Sequence, residues 1–386
     1  MKHKDTLYGD WELPVFIKRL VTTKEMVRLR NITQAVLPND FMPYGPIPSR
    51  FQHGLGVARL SMAVLENNPQ LSDFNVLLPV AALLHDAGNP PLSHLGEHFL
   101  KEITGYDGES FLSVLLDGSE TEKILREYGI SIEQVTALVT GKAKPLSEVL
   151  NGSMDIDNLD NVGRYNLAAD LGAEKFDAVK IASSFRLDSD KSELFLLDRD
   201  GVWKETQKWK TARGVVYASI YGMPHLVVAM MVYRATEIAF YENELSMDFF
   251  LLNDYEAITY LLTKCNLRTK LLVERARRWN WYEEVVAIET TTPSARFKEL
   301  AFDWKGRKYL ADKLCEQFGR EPDEICVYVG KGRDKRKITL PFISDFGEKR
   351  FDVADNEPIY RAKIWIPRDV SIDKVQLKGS LDELLV

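Results

Sequence analysis

Histidine and aspartate residues that lie close together are the groups in this sequence best suited to chemistry. The chain has six histidines, and His53, His85, His94 and His98 all fall between residues 53 and 98. Asp86 directly follows His85, at the end of an apolar segment and before a Gly-Asn-Pro-Pro break. Burying an imidazole and a carboxylate side by side costs free energy unless each has a partner. A divalent metal ion is a partner that suits this pair.

A full ligand set requires further groups from elsewhere in the chain. His53 has apolar neighbours at helical spacing and supplies a second imidazole, and Asp157 supplies a second carboxylate. Asp155 and Asp160 compete with Asp157, and a single histidine on an apolar helix face usually belongs to the core. Two neutral imidazoles and two carboxylates would balance a dication. The predicted cofactor is therefore one divalent ion, and Mn, Fe, Co, Ni, Zn and Mg remain open.

Composition limits the class of protein. The chain has 386 residues, 45% of them apolar and 28% charged, with a net charge of −7 and a pI near 5.6. This balance argues against a nucleic-acid coat, which needs clustered cations, but not against a local nucleotide pocket. Three scattered cysteines predict neither a disulfide framework nor a structural zinc site. No apolar signal segment follows Met1, and Val76–Leu84 is too short to span a bilayer, so we expect a cytoplasmic protein without a membrane partner.

The pattern of apolar residues predicts a mainly α fold. Residues 1–20 are expected to form a short β lead-in, followed by a helix that opens at Thr22-Thr23. A helix is expected from Arg50 through Val64, a second one ending at His85-Asp86, and a third over residues 92–102. Further helical patterns run through residues 109–128, 131–140 and 156–185.

The second half of the chain combines patterns typical of helices with patterns typical of strands. Residues 193–205 predict a β-hairpin around an Arg-Asp-Gly turn, and long helices are expected over residues 212–288. After residue 290 strands are expected at 325–329, 338–340 and 362–366. We therefore predict one large domain over residues 1–290 and a small α+β region over residues 291–386.

The motifs resemble those of a known family. The segment His85-Asp86-Ala87-Gly88-Asn89-Pro90-Pro91, continuing to His94, Gly96 and Glu97, resembles the motif of the HD-domain phosphohydrolases, and in particular of the dGTPase-like deoxynucleoside triphosphate triphosphohydrolases. Thr22–Gln34, Arg50–Val57 and Asp155–Asp160 are also similar to segments of that family. The similarity covers roughly residues 5–185 and becomes diffuse toward residue 290.

This resemblance implies a function and a set of roles. It implies hydrolysis of a deoxynucleoside triphosphate to the deoxynucleoside and inorganic triphosphate, with Asp157 as the fourth metal ligand beside His53, His85 and Asp86. Three residues apart on a helix, His94 and Glu97 would share one face, His94 for proton transfer and Glu97 to orient it. Substrate contacts would come from Arg50, Gln34, Asn161, Tyr165 and His225. A symmetric homo-oligomer with nucleotide activation is also implied.

Several positions depart from the family pattern. Asn161 and Tyr165 stand where the family has an aromatic and an acidic residue, and the segment around His225 lacks the usual lysine. A triphosphate needs several cations, for which Arg50, Arg164 and Lys175 are candidates. Two alternatives therefore stay open: an HD phosphodiesterase or phosphatase acting on another nucleotide, and a nucleotide-sensing protein with a structural metal. The basic run 331–337 is interpreted as a solvated turn, with an allosteric nucleotide contact or a nucleic-acid contact there as the minor alternative.

Overall fold

A computed structural model describes residues 2–34, 37–42, 47–188, 193–331, 340–350 and 359–386. Its strands are β1 (Lys2–Asp5), β2 (Gly9–Glu12), β3 (Phe185–Asp188), β4 (Glu193–Leu197), β5 (Glu283–Thr290), β6 (Cys326–Lys331), β7 (Pro341–Ser344), β8 (Gly347–Arg350) and β9 (Tyr360–Ile366). Its α-helices are α1 (Val15–Leu20), α2 (Lys24–Arg28), α3 (Arg50–Glu66), α4 (Leu77–Leu84), α5 (His94–Thr104), α6 (Gly108–Leu116), α7 (Glu120–Glu127), α8 (Ile132–Val139), α9 (Ile156–Ala168), α10 (Ala178–Ala182), α11 (Val202–Ile220), α12 (His225–Tyr241), α13 (Asp254–Lys264), α14 (Leu267–Arg277), α15 (Ala295–Phe302), α16 (Lys305–Phe318) and α17 (Lys374–Leu385). The predicted mainly α fold is confirmed.

Two compact units divide the chain. The first contains Met1–Ala35, Tyr44–Val216 and Arg336–Val353, and the second contains Val36–Pro43, Tyr217–Lys335 and Ala354–Val386. This division differs from the single boundary expected near residue 290, because the chain crosses between units within α11 and returns to the first unit for β7 and β8. The domain boundary near residue 290 stays a prediction from the sequence.

The first unit is built around the packed helices α3 and α4. A capping box at Ser49 opens α3, in which the Ser49 side chain accepts a hydrogen bond from the amide of Gln52. Nearly every residue of α4 is buried, as expected for a helix that is apolar on all sides. A Cβ atom at Gly54 would lie 2.7 Å from the carbonyl oxygen of Leu83, so glycine permits a close approach of the two helices. This packing brings His53 next to the end of α4.

Two hairpins belong to the first unit, and one of them corrects a prediction. β1 and β2 pair antiparallel, as the predicted lead-in required, although Val15–Leu20 is helical. The inserted hairpin exists, but β4 pairs antiparallel with the preceding β3 and parallel with β7. The pairing predicted across residues 193–205 is therefore wrong, because the chain after the Asp-Gly turn enters α11 at Val202.

The second unit joins helices to a three-stranded sheet. The order is β5-β9-β6, and both pairs are antiparallel. A buried apolar cluster lies between this sheet and α15, α16 and α17, with Leu310, Leu314 and Ile364 fully buried. β5 begins at Glu283, so the helical pattern expected up to residue 288 ends earlier than predicted. The predicted strand at 338–340 and most of the basic run 331–337 lie outside the described residues.

Within the described residues, no single helix has both the length and the apolarity of a membrane span. The consecutive helices α11 and α12 meet that test only as a bent pair taken together.

Candidate metal centre

Both histidines present the same ring nitrogen to a common point. His53 Nδ1 lies 2.7 Å from Asp160 Oδ1, and His85 Nδ1 lies 2.8 Å from the carbonyl oxygen of Ala82. Each Nδ1–H therefore donates to an oxygen, which leaves the Nε2 lone pair of each ring free for a cation. The two Nε2 atoms are 3.2 Å apart.

Two carboxylate oxygens complete the cluster. Asp157 Oδ1 lies 2.9 Å from His53 Nε2 and 3.7 Å from His85 Nε2. Asp86 Oδ2 lies 3.7 Å and 3.5 Å from the same two nitrogens, and no described residue forms a hydrogen bond with it. Adjacent ligands of an octahedral ion with bonds of about 2.1 Å are separated by about 3 Å. The spacing of the His53, His85 and Asp157 atoms therefore fits one divalent ion, and Asp86 Oδ2 lies within 3.7 Å of both histidine nitrogens of this group.

The charges in this cluster explain why it needs a cation. Burial lowers the pKa of His85, but the charge of Asp86 and a hydrogen bond to Asp157 outweigh burial and raise it to about 10. Burial likewise opposes the ionisation of Asp157, yet hydrogen bonds from the two histidines hold its pKa well below the usual range. When no metal is bound, a proton on His85 thus supplies positive charge beside the two carboxylates.

Two side chains orient Asp86 through the oxygen that does not face the histidines. This Oδ1 accepts hydrogen bonds from Arg50 Nη1 at 2.6 Å and from the side-chain amide of Asn89 at 2.7 Å. Burial would raise the pKa of Asp86, but Arg50 and His85 outweigh it and lower the pKa to about 2. Arg50 Nε also donates to the hydroxyl of Ser93, while its Nη2 is buried without a partner among the described residues. The guanidinium predicted to contact phosphate is therefore already paired with a metal ligand.

The predicted proton-transfer pair forms at the start of α5. His94 Nδ1 lies 2.9 Å from Glu97 Oε2, and the His94 side chain is 66% exposed. Burial would raise the pKa of Glu97, but His94 lowers it to about 2, so this group stays a carboxylate. Leu92 and Ser93 have φ values of 62° and 50°, which non-glycine residues adopt at a cost in free energy. This turn directly precedes His94, and because Nδ1 faces Glu97, the Nε2 atom of this exposed ring points away from the carboxylate.

The predicted substrate contacts fall in several places. Gln34 is buried, and neither side-chain atom of its amide has a partner among the described residues. Asn161 and Tyr165 follow Asp157 at intervals of four residues and so share its face of α9. His225 is the first residue of α12 in the second unit, where burial lowers its pKa to about 4 and keeps it neutral.

Three residues near the centre were missed from the sequence. Asp160 was weighed only as a rival ligand, yet it holds the ring of His53, and its spacing of four from Arg164 was the available signal. Asn89 orients Asp86. Glu109, in the first turn of α6, interacts electrostatically with His85 and Asp157, and desolvation raises its pKa to about 7. No spacing signal linked Glu109 to the motif, because a separate helix supplies it.

Comparison with known proteins agrees with this geometry. The family model described as the HD domain matches residues 50–164, a range that contains all four candidate ligands. A deoxynucleoside triphosphate triphosphohydrolase SAMHD1 homolog of Dictyostelium discoideum is 25% identical over 179 residues, which is 42% of this chain and 35% of that protein. Residues 50–164 therefore match the HD domain, and the resemblance of the chain to the HD-domain, dGTPase-like phosphohydrolases is confirmed.

Two further similarities extend beyond that domain. An uncharacterised protein of Methanocaldococcus jannaschii is 25% identical over 358 residues, covering 91% of this chain and 72% of its own length. A crystal structure of a hypothetical protein from Aquifex aeolicus aligns with a TM-score of 0.76 at 19% identity, covering 99% of both chains. The fold of the whole chain is therefore shared with that structure.

Proposed function

We propose that this protein hydrolyses a deoxynucleoside triphosphate to the deoxynucleoside and inorganic triphosphate. The observation that carries the proposal is the convergence of four potential ligand atoms, two imidazole nitrogens and two carboxylate oxygens, in a protein that also has a separate His-Glu pair. One divalent ion, bound by His53, His85, Asp86 and Asp157, would supply Lewis-acid activation of a phosphate oxygen and of water. The name of the relative from Dictyostelium discoideum supports this choice of substrate class.

The chain's own residues have separate tasks in this reaction. Glu97 remains ionised and holds His94 through Nδ1, so that Nε2 can deliver a proton to the 5′-oxygen as its bond to the α-phosphorus breaks. The side-chain amide of Gln34 has no hydrogen-bond partner among the described residues, which supports its proposed contact with a sugar hydroxyl. Asn161 and Tyr165 would extend the binding face along α9 from Asp157.

Product identification tests this proposal. The purified protein would be loaded with Mn²⁺ and given each of the four dNTPs, alone and with other nucleotides as activators. We expect inorganic triphosphate and a deoxynucleoside in equal amounts, and we expect His94→Ala to lose turnover while it still binds Mn²⁺. No triphosphate from any dNTP under these conditions would overturn the proposal.

A second candidate function is hydrolysis of a less charged nucleotide, as a phosphodiesterase or phosphatase. Two of the cations nominated for a triphosphate have carboxylate partners, Arg50 with Asp86 and Arg164 with Asp160 and Asp5. Fewer free cations at the site favour a substrate that carries fewer phosphate charges. The same product screen separates the candidates, because this one releases phosphate or a mononucleotide.

A further inference from the structure

A continuous buried network of charged groups leads from the N-terminal hairpin to the metal centre. Arg164 Nη2 lies 3.0 Å from Asp5 Oδ2 and 2.7 Å from Asp160 Oδ2, and its Nε donates to Asp160 Oδ1 at 2.9 Å. Asp160 Oδ1 in turn accepts from His53 Nδ1 at 2.7 Å. The side chains of Asp5, Asp160 and Arg164 are at most 4% exposed, so water screens these interactions weakly.

The hairpin holds Asp5 in place. The outer end of this network is Asp5, which the loop between β1 and β2 holds. Asp5 Oδ1 accepts hydrogen bonds from the backbone amides of Leu7 at 2.7 Å and Tyr8 at 3.1 Å. The ring of Tyr8 packs against the guanidinium of Arg164, with 5.6 Å from its central carbon to the ring centre. The position of Asp5 is therefore fixed by the hairpin backbone rather than by a flexible side chain alone.

A glycine in α3 makes room for this network of charged side chains. Gly56 lies one turn after His53, and a Cβ atom there would be 1.9 Å from Asp160 Oδ2 and 2.3 Å from Arg164 Nη2. The Asp160–Arg164 pair thus occupies the space next to the helix that carries the metal-ligating histidine. Any other residue at this position would displace the pair.

The balance of charge in this network makes the interaction between Asp160 and His53 depend on the charge of Asp5. One guanidinium is shared between two buried carboxylates, which leaves Asp160 with negative charge to be met by the imidazole N–H of His53. A carboxylate on Nδ1–H raises the basicity of Nε2 and fixes the ring. Without the charge of Asp5, Arg164 would neutralise Asp160 more fully, and the pull on the His53 proton would weaken.

We propose that Asp5 is a positioning residue of the metal centre, which makes the N-terminal hairpin a determinant of cation affinity through Arg164, Asp160 and His53. The inference rests on the metal centre of the proposed function and not on hydrolysis. Metal binding without nucleotide is therefore its readout, and either proposal can fail while the other stands.

Calorimetric titration of metal-free protein with Mn²⁺ tests the inference. Loss of an outer partner of a metal ligand weakens affinity by about 10–100-fold, so we expect that loss in Asp160→Asn and a smaller loss, about 3–10-fold, in Asp5→Asn. Asp10→Asn is the matched control, because it removes the same charge at an exposed position of the same hairpin, and it should bind Mn²⁺ like the parent. In the Asp160→Asn background, Asp5→Asn should have little further effect.

Two outcomes would overturn the inference: a folded Asp5→Asn protein that binds Mn²⁺ like Asp10→Asn, or an Asp5→Asn effect that adds in full to Asp160→Asn. Should Asp5→Asn fail to fold, hydrogen exchange on the unmodified protein decides. Because coupling of two sites is reciprocal, Mn²⁺ should slow exchange of the amides in residues 2–12 more than of those in α7. Equal slowing in both segments would contradict the coupling.

Discussion

Arg50 and Asp86 form a buried ion pair, and the cost in stability of breaking this pair should depend on whether metal is bound. Their side chains are 5% and 10% exposed, and the pair is 2.6 Å apart. Removing one partner of a buried pair leaves an uncompensated charge and costs about 3–5 kcal/mol. A divalent ion offers Asp86 twice the positive charge of the protonated His85 that lies 3.5 Å away in EDTA. Arg50→Met should therefore lower the free energy of unfolding by about this amount in EDTA, and by less in Mn²⁺.

Denaturant unfolding with and without Mn²⁺ measures this difference. Arg126→Met is the control, because Arg126 is paired with Glu122 on an exposed face of α7, where such pairs contribute about 0–1 kcal/mol. An Arg50→Met protein that loses equal stability in EDTA and in Mn²⁺ would show that the cation does not compensate the charge of Asp86.

Glu97 should affect turnover without affecting metal affinity. Glu97→Gln removes the charge that holds His94 through Nδ1, while the four candidate ligands keep their own partners. We expect kcat to fall by about 10–100-fold, the usual cost of losing the group that orients an imidazole. Mn²⁺ affinity should stay unchanged.

Glu102→Gln serves as the control for that variant. Glu102 lies on the same helix but about 140° around its axis from Glu97, and it is exposed. Both variants would be compared by steady-state kinetics on the substrate found in the product screen and by calorimetry with Mn²⁺. If Glu97→Gln keeps full turnover, His94 does not depend on its carboxylate partner.

At the scale of elements, the close packing of α3 and α9 depends on a residue without a side chain. Gly56→Ala would place a methyl group within 1.9 Å of Asp160 and within 2.3 Å of Arg164. Overpacking of this kind costs about 1–3 kcal/mol. Gly214→Ala in α11 is the matched control, since no described residue outside its own helical turn lies within 4 Å of its Cβ position, and it should stabilise the protein by about 0.5–1 kcal/mol.

Thermal unfolding measures both glycine variants. Gly56→Ala should have a lower Tm than the parent and Gly214→Ala an equal or higher one. Equal effects of the two substitutions would mean that the Asp160–Arg164 pair moves aside without cost.

Elements that carry dense local signals could be predicted, and those that depend on distant partners could not. The helices α3, α4 and α5 follow from a capping serine, an apolar run and the Gly-Asn-Pro-Pro break. The residues 199–201 resemble a hairpin turn, because Asp200 and Gly201 have the positive φ values of such turns, yet the same conformation here precedes α11. Strand pairing depends on residues distant in the chain, such as Leu196 with Phe342, and no local pattern encodes that choice.

The candidate metal ligands could be nominated from the sequence for a reason that does not apply to the residues that hold them in place. A ligand must be one of a few residue types, and the spacing around His85-Asp86 is distinctive. Asp5 and Glu109 are ordinary acidic residues on separate elements, and only the folded chain brings them toward the centre.

For the whole molecule, the stability of the metal-free protein should change with pH, and bound metal should largely abolish this change. Without metal, the folded protein holds a proton on His85 with a pKa of about 10, against an ordinary value of 6.5. That stabilisation is fully present below about pH 6.5 and is lost as pH rises through about 10. Asp86 acts in the opposite direction, because its pKa of about 2 gives stabilisation above pH 3.8 that is lost as pH falls toward 2.

A bound divalent ion takes the place of that proton. We therefore expect the Tm in EDTA to fall between pH 6.5 and 9.5, and to fall much less with saturating Mn²⁺, whose affinity increases as proton competition weakens. Calorimetry at pH 8 in buffers of different ionisation enthalpy should show net proton release on Mn²⁺ binding. The same pH dependence of Tm with and without Mn²⁺, together with no proton release, would mean that the cation does not bind where His53 and His85 meet.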